Sequence, residues 1–175
     1  LEAGAAIDQA DEAGATPLFA ASQEGHAECV QLLRDAGAAI NQAKQNGTTP
    51  LYIASQQGHV EIARLLPAAG AAVSQAKKNG VTPLFVACQR GQLEFARLLL
   101  EAGAAVNQAE EDGVMPLSMA CAAGHLEVVQ LLSSYGASRA ATLLGTSEEA
   151  ASRSGHADLA AWLVASRGWT PLQHL

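Results

Sequence analysis

The sequence predicts an all-α solenoid, in which helix-turn-helix units stack in a row and are joined by β-hairpin finger loops. Three recurrences predict it. Thr16-Pro17-Leu18, Thr49-Pro50-Leu51 and Thr82-Pro83-Leu84 stand 33 residues apart, and the next step lands on Met115-Pro116-Leu117. Gly25-His26, Gly58-His59 and Gly124-His125 keep that interval, with Gly91-Gln92 between them. Gly37-Ala38, Gly70-Ala71, Gly103-Ala104 and Gly136-Ala137 keep it too. A fixed period of this length means one small structural unit, stacked on copies of itself.

Each unit reads in the same order. The polar segment Gln42-Ala43-Lys44-Gln45-Asn46-Gly47 contains Asn-Gly, a strong tight-turn signal. Thr49 then precedes Pro50: the hydroxyl caps a helix whose first position suits proline. Leu51, Ile53 and Ala54 give that helix a short apolar face, and Gly58 ends it. After His59, Val60, Ile62, Leu65 and Leu66 recur at helical spacing, Glu61 sits in the first turn where the macrodipole favours an acid, and Gly70 stops the helix. Two such short helices cannot bury their apolar faces alone. Stacking buries them, at roughly 1.5–3 kcal/mol per Leu or Ile. Alanine, at 38 of 175 residues, and the matching Cys88 and Cys121 suit places where units approach closely. Pro67 lies late in a second helix, where it removes the bond to the Ala63 carbonyl and crowds it; this helix is expected to kink or to end about a turn early.

The matching residues Gly14-Ala15-Thr16-Pro17-Leu18, Gly25-His26-Ala27-Glu28, Leu32-Leu33 and Ala36-Gly37-Ala38, with their counterparts in each unit, resemble the ankyrin repeat. The resemblance covers nearly the whole chain. Residues 1–10 read as the tail of a partial unit; 11–43, 44–76, 77–109 and 110–142 as complete units; 143–168 as a degenerate, shortened one; and 169–175 as the start of another. In the degenerate unit Thr146-Ser147 stands where Thr-Pro stood, and the lost stretch is the finger. The pattern suits a piece of a longer array. The family usually has a histidine after Thr-Pro-Leu, where this chain has Phe19, Tyr52, Phe85 and Ser118, and an aspartate after Gly-Ala, where it has Ala39, Ala72 and Ala105. The resemblance also implies that Asn41 and Asn107 stand at the place where ankyrin asparagines can be hydroxylated, from which Asp8 and Ser74 depart.

Composition excludes several classes of function. With 17 acids against 10 bases and three lysines, the chain lacks the clustered cations that phosphate contacts need, so nucleic acid is not its partner. No apolar run approaches the roughly 20 residues that span a bilayer. Three cysteines at no ligand-like spacing point to an intracellular, reducing compartment. His26, His59, His125 and His156 recur one per unit, too far apart across packed helices to share a zinc ion, and read as bonds to the inter-helix turn. Cys29, Cys88 and Cys121 read as buried spacers. No metal motif, catalytic triad or phosphate loop is present, so neither an enzyme nor a cofactor site is expected.

The variable positions carry the functional expectation. The finger tips run acidic (Asp11, Glu12), basic (Lys44, Gln45, Asn46), basic (Lys77, Lys78, Asn79) and acidic (Glu110, Glu111, Asp112), and all three lysines lie on the middle two. The ends of the first helices add Gln23, Glu24, Gln56, Gln57, Gln89 and Arg90, and Thr48 and Val81 flank the tips. The resemblance implies that fingers and first helices form a concave surface that binds a partner protein. The expected partner carries an acidic patch facing Lys44, Lys77 and Lys78, and the module is expected to be monomeric. The other readings are a structural spacer within a larger assembly and a substrate-recruiting segment of a longer enzyme.

Overall fold

Helix starts are written into the chain by threonine. In the computed structural model, which describes residues 6–142 and 144–168, the Oγ1 atoms of Thr16, Thr49 and Thr82 accept the N–H groups of Phe19, Tyr52 and Phe85 at 3.1 Å. These caps open α1 (Pro17–Glu24), α3 (Pro50–Gln57) and α5 (Pro83–Arg90), each with proline in its first turn. α7 (Pro116–Ala123) begins after Met115 and has no side-chain cap. Gly25, Gly58, Gly91 and Gly124 end these four helices in the left-handed conformation, at φ between 69° and 79°.

The partner helices are α2 (Ala27–Asp35), α4 (Val60–Ala68), α6 (Leu93–Glu101) and α8 (Leu126–Ser134). A shorter α9 (Ser147–Arg153) and α10 (Ala157–Ala165) complete the ten helices of the described residues. The odd-numbered helices pack against one another in sequence, as do α2, α4, α6 and α8, so the chain is two parallel rows of helices. The core runs along the seam. Leu18, Leu51, Leu84 and Leu117 are at most 2% exposed, and Ala54, Ala87, Ala120, Cys88 and Cys121 are fully covered where first helices meet.

Two expectations change. α4 spans nine residues, as α2, α6 and α8 do, so Pro67 does not shorten it. Pro67 is the penultimate residue, and the turn beyond it closes normally: Ala69 N–H reaches the Leu65 and Leu66 carbonyls at 3.2 and 3.1 Å, and Gly70 N–H reaches Pro67 at 3.0 Å. The one bond forgone is that to the Ala63 carbonyl, and the bonds around it hold the last turn in place. The histidines also bond elsewhere than expected. His59 Nε2 donates to the Gln23 carbonyl at 2.9 Å and His125 Nε2 to that of Gln89 at 3.2 Å, so each ring clasps the end of the preceding first helix.

The fingers are tight loops without paired strands. Lys44 N–H donates to Thr48 O and Gly47 N–H to Lys44 O, both at 2.9 Å, and Asp11, Lys77 and Glu110 open equivalent loops. Each finger reaches back to the one before: Gln45, Lys78 and Glu111 donate their N–H groups to Ala13, Asn46 and Asn79, each at 3.2 Å. The longer loops are tied in the same direction. Asp8, Asn41, Ser74 and Asn107 accept the N–H groups of Ala39, Ala72, Ala105 and Ser138 at 2.7–2.9 Å.

Before α9 the finger is replaced by a short turn with a bridge between Thr142 and Gly145. Thr146 and Glu149 form a capping box, and Arg139 donates to Leu163 O and Ser166 Oγ at 2.9 Å, pinning the end of α10. The expected further unit at 169–175, like the first five residues, lies outside the described residues.

Gly80 and Gly113 share φ +78°, but a Cβ on Gly80 would lie 2.9 Å from the backbone of Glu110 and Glu111, whereas one on Gly113 meets nothing within 4 Å. Gly113→Ala should therefore lose about 1–2 kcal/mol of stability, the left-handed penalty alone, and Gly80→Ala measurably more in chemical denaturation. Supplying the missing cap by Met115→Thr should raise stability by about 1 kcal/mol in the same assay.

Candidate functional site

Polar side chains that differ from unit to unit line the fingers and the exposed sides of the first helices. The finger-to-finger bonds make the four tips one continuous ridge. Along it Glu12, Gln45, Asn46, Lys78, Asn79, Glu111 and Asp112 are exposed, as are Glu24, Gln57, Gln89 and Arg90 on the neighbouring helices. Gln23, Lys44, Gln56, Lys77, Val81 and Glu110 are half-buried. Thr48 is 6% exposed and contributes backbone only: its carbonyl closes the finger turn and its N–H donates to Asn46 Oδ1 at 3.0 Å.

Several of these groups already have structural partners. Asp11 Oδ1 accepts from Ala13 and Ala15 N–H at 2.9 and 2.8 Å, and Glu110 Oε1 from Val114 N–H at 3.0 Å. Gln45 Nε2 donates to the Glu12 carbonyl at 2.9 Å. Two of the lysines lie over aromatic rings of the preceding first helix: Lys44 Nζ is 5.1 Å from the Phe19 centroid and Lys77 Nζ is 5.1 Å from that of Tyr52. Both rings are nearly buried, so each ammonium covers the outer edge of a core aromatic. Reading the sequence by units missed these contacts. Their signal was present, since Phe19–Lys44 and Tyr52–Lys77 are pairs at the same offset, while Phe85 meets Glu110 at that offset.

The charges of the two helix rows differ in kind. On the second helices Arg34 pairs with Asp35 at 2.7 Å, Arg64 with Glu94 at 3.2 Å and Arg97 with Glu94 at 3.6 Å. Near the end of the array Arg167 pairs with Glu148 at 3.1 Å. Lys44, Lys77, Lys78 and Arg90 make no ion pair with any described residue, although the chain is acidic overall. Tyr52 sits among them. Burial raises its phenol above the ordinary value, and the positive field of Arg90 opposes that rise.

The remaining chemistry is structural. Burial pushes the Cys88 thiol well above its usual range and that of Cys121 up to about 12, which leaves both protonated and unreactive at neutral pH. Cys29 departs from the buried-spacer expectation and is exposed on α2. Among the described residues no cluster of three His, Cys, Asp or Glu side chains could hold a metal ion, and no helix is long and apolar enough to cross a membrane.

A family model described as ankyrin repeats in three copies matches residues 1–76 and again 68–142. No curated protein matches the chain.

The ring contacts separate the two adjacent lysines. Lys77→Gln should cost about 0.5–1 kcal/mol of stability and Lys78→Gln almost nothing, compared as shifts in denaturation midpoint.

Proposed function

Since this chain belongs to the ankyrin-repeat family, whose members are in general protein-interaction modules and typically not enzymes, we propose that it binds a partner protein through its finger tips and first helices, with an acidic stretch of the partner seated on Lys44, Lys77, Lys78 and Arg90. The observation that carries this reading is the segregation of the cations. Paired arginines lie on the second helices and near Glu148; of the six cations that make no ion pair with a described residue, Arg139 and Arg153 hold backbone carbonyls in the last helix pair, and the other four, Lys44, Lys77, Lys78 and Arg90, lie on the ridge and the helix beside it. An unneutralised group of this sign within one Debye length attracts an oppositely charged surface and speeds its arrival. Glu12, Glu24, Glu111 and Asp112 flank the group and repel a partner that arrives out of register. The same module acts as a monomer in a reducing, intracellular compartment, where exposed Cys29 stays a free thiol.

Lys78 and Arg90 are the residues to change, because they are exposed and make no ring contact of the Lys77 kind. In affinity capture from an extract of the source cell, a partner held by the native chain should be lost by a Lys78→Glu/Arg90→Glu variant with unchanged circular dichroism. Association with that partner should slow at least about 10-fold as salt rises from low to high ionic strength. Identical captures by the two chains would discard the basic surface in favour of a spacer role.

A further inference from the structure

The joint between α7–α8 and α9–α10 lacks the contacts that close the earlier joints. Leu18, Leu51, Leu84 and Leu117 are at most 2% exposed in their first helices, and α9 has Glu148 at that position. Pro50, Pro83 and Pro116 are buried one residue earlier, where α9 has Ser147. On the other side of the joint Ser118 replaces the rings of Phe19, Tyr52 and Phe85, and its buried hydroxyl has no partner among the described residues. The finger-to-finger bonds end at Glu111, because a short turn stands in for the next finger. The loop-to-loop bonds end at Asn107, because Ala140 holds the equivalent place and has no acceptor to offer. His156 lies against Gly124 as His59 does against Gly25, yet it takes no carbonyl among the described residues. The row formed by α2, α4, α6 and α8 does not extend to α10.

Charged groups stand where those contacts are missing. Arg139, in the loop after α8, crosses to the end of α10, where it donates to the Leu163 carbonyl and Ser166 Oγ at 2.9 Å and lies 5.6 Å from the centre of the Trp162 ring. The Glu148 side chain is 15% exposed and pairs with Arg167 at 3.1 Å. Partial burial opposes its ionisation, but its own backbone N–H, Arg167 and Arg139 outweigh that and hold the carboxyl below its usual range. A full charge therefore occupies a place that the other pairs give to leucine. Besides its burial, the Cys121 thiol feels Ser147, Arg139 and Glu148, so these groups meet at one point of the joint. Within the last pair the packing is ordinary. Ala150, Ala151, Leu159 and Leu163 are at most 3% exposed, and α9 and α10 lie directly on each other.

We propose that this joint is a hinge within the array, at which α9 and α10 swing away from α7 and α8 as one unit while the earlier joints stay closed. Arg139 is the catch, since it is the side chain that ties the loop after α8 to the end of α10. Glu148 is the weak point, since a carboxylate held by cations closes a joint less firmly than a buried leucine does. In a stack whose stability is set joint by joint, a cohesive pair on a weak joint opens ahead of the rest. Opening bares the side of α7 that carries Cys121. The finger ridge ends at Asp112, before the hinge, so the basic surface of α1 to α6 does not move with it.

Cys88 and Cys121 hold equivalent, fully covered positions at adjacent joints and serve as paired reporters. In a Cys29→Ser chain, a maleimide should modify Cys121 about 100-fold faster than Cys88 in native buffer, each rate divided by that of the same thiol in the denatured chain, because Cys121 waits only on the hinge. Arg139→Ala should speed Cys121 by a further factor of about 10 and leave Cys88 unchanged. Glu148→Leu, which restores the residue of the other pairs, should slow Cys121 by about 10-fold. Amide hydrogen exchange should show α9 and α10 exchanging together, ahead of α7 and α8. Equal normalised rates for the two thiols in the parent chain would overturn the proposal, since the joint would then open only with the whole stack. So would an Arg139→Ala variant that speeds both thiols alike, or a Glu148→Leu variant, folded by circular dichroism, that leaves Cys121 no slower. Neither readout involves a partner protein, so both stand whether or not the basic surface binds one.

Discussion

The structure depends on the burial of one helix pair by the next. A pair such as α3 and α4 has an apolar face on each side and covers neither by itself; Pro50, Ile62 and Leu66 are inaccessible because α1 and α2 lie against them. Stability in such an array is a sum of weak units and strong joints. Side-chain size follows from this. Alanine and cysteine stand where first helices touch, because a larger group at Ala87 or Cys88 would force the rows apart. The polar contacts that cross between pairs, from the Asn41 amide to the His59 ring, serve the same joints. They satisfy backbone groups at helix ends and loops that packing leaves open.

The exposed ridge is a by-product of that economy. Once the joints have claimed the threonines, glycines and leucines, the finger tips remain free to vary, yet the tips are not independent of the core. Lys44 and Lys77 lean onto Phe19 and Tyr52, so their charge is held close to the rings and away from the tip. Lys78 and Arg90 carry no such tie. The positive character of the surface is thus built from two kinds of residue, one that completes the stack and one that is available to a partner.

Much of this was legible in the sequence, and the division is physical. Helix starts and stops are local: Thr49-Pro50 and Gly58 state them within a few residues, and the helices begin and end there. The close-packed role of Cys88 and Cys121 was legible because their positions match between units. What the sequence obscured lies across the joints. The partner of His59 is Gln23, and that of Lys77 is Tyr52, each in the preceding pair and reachable only once the stacking register is known. Cys29 shares its position with the core residue Ile62, and only the absence of a covering pair exposes it. Pro67 was misjudged because the one bond it forgoes, to Ala63, falls in the last turn of α4, where the Ala69 and Gly70 N–H groups still close the helix.

One joint departs from its neighbours in a way that bears on how such an array can change over generations. Gln92 stands where the other pairs have histidine, and its amide lies against Gly58 without taking the carbonyl bond that His59 and His125 make. That joint carries others instead: Ser55 Oγ donates to the Pro83 carbonyl at 2.6 Å, Arg64 reaches Glu94, and Lys77 covers Tyr52. A seam closed by several unrelated contacts survives the loss of any one, so inheritance can trial substitutions seam by seam without unmaking the whole. Descent in such a molecule is free at the level of the single bond and strict at the level of the stack.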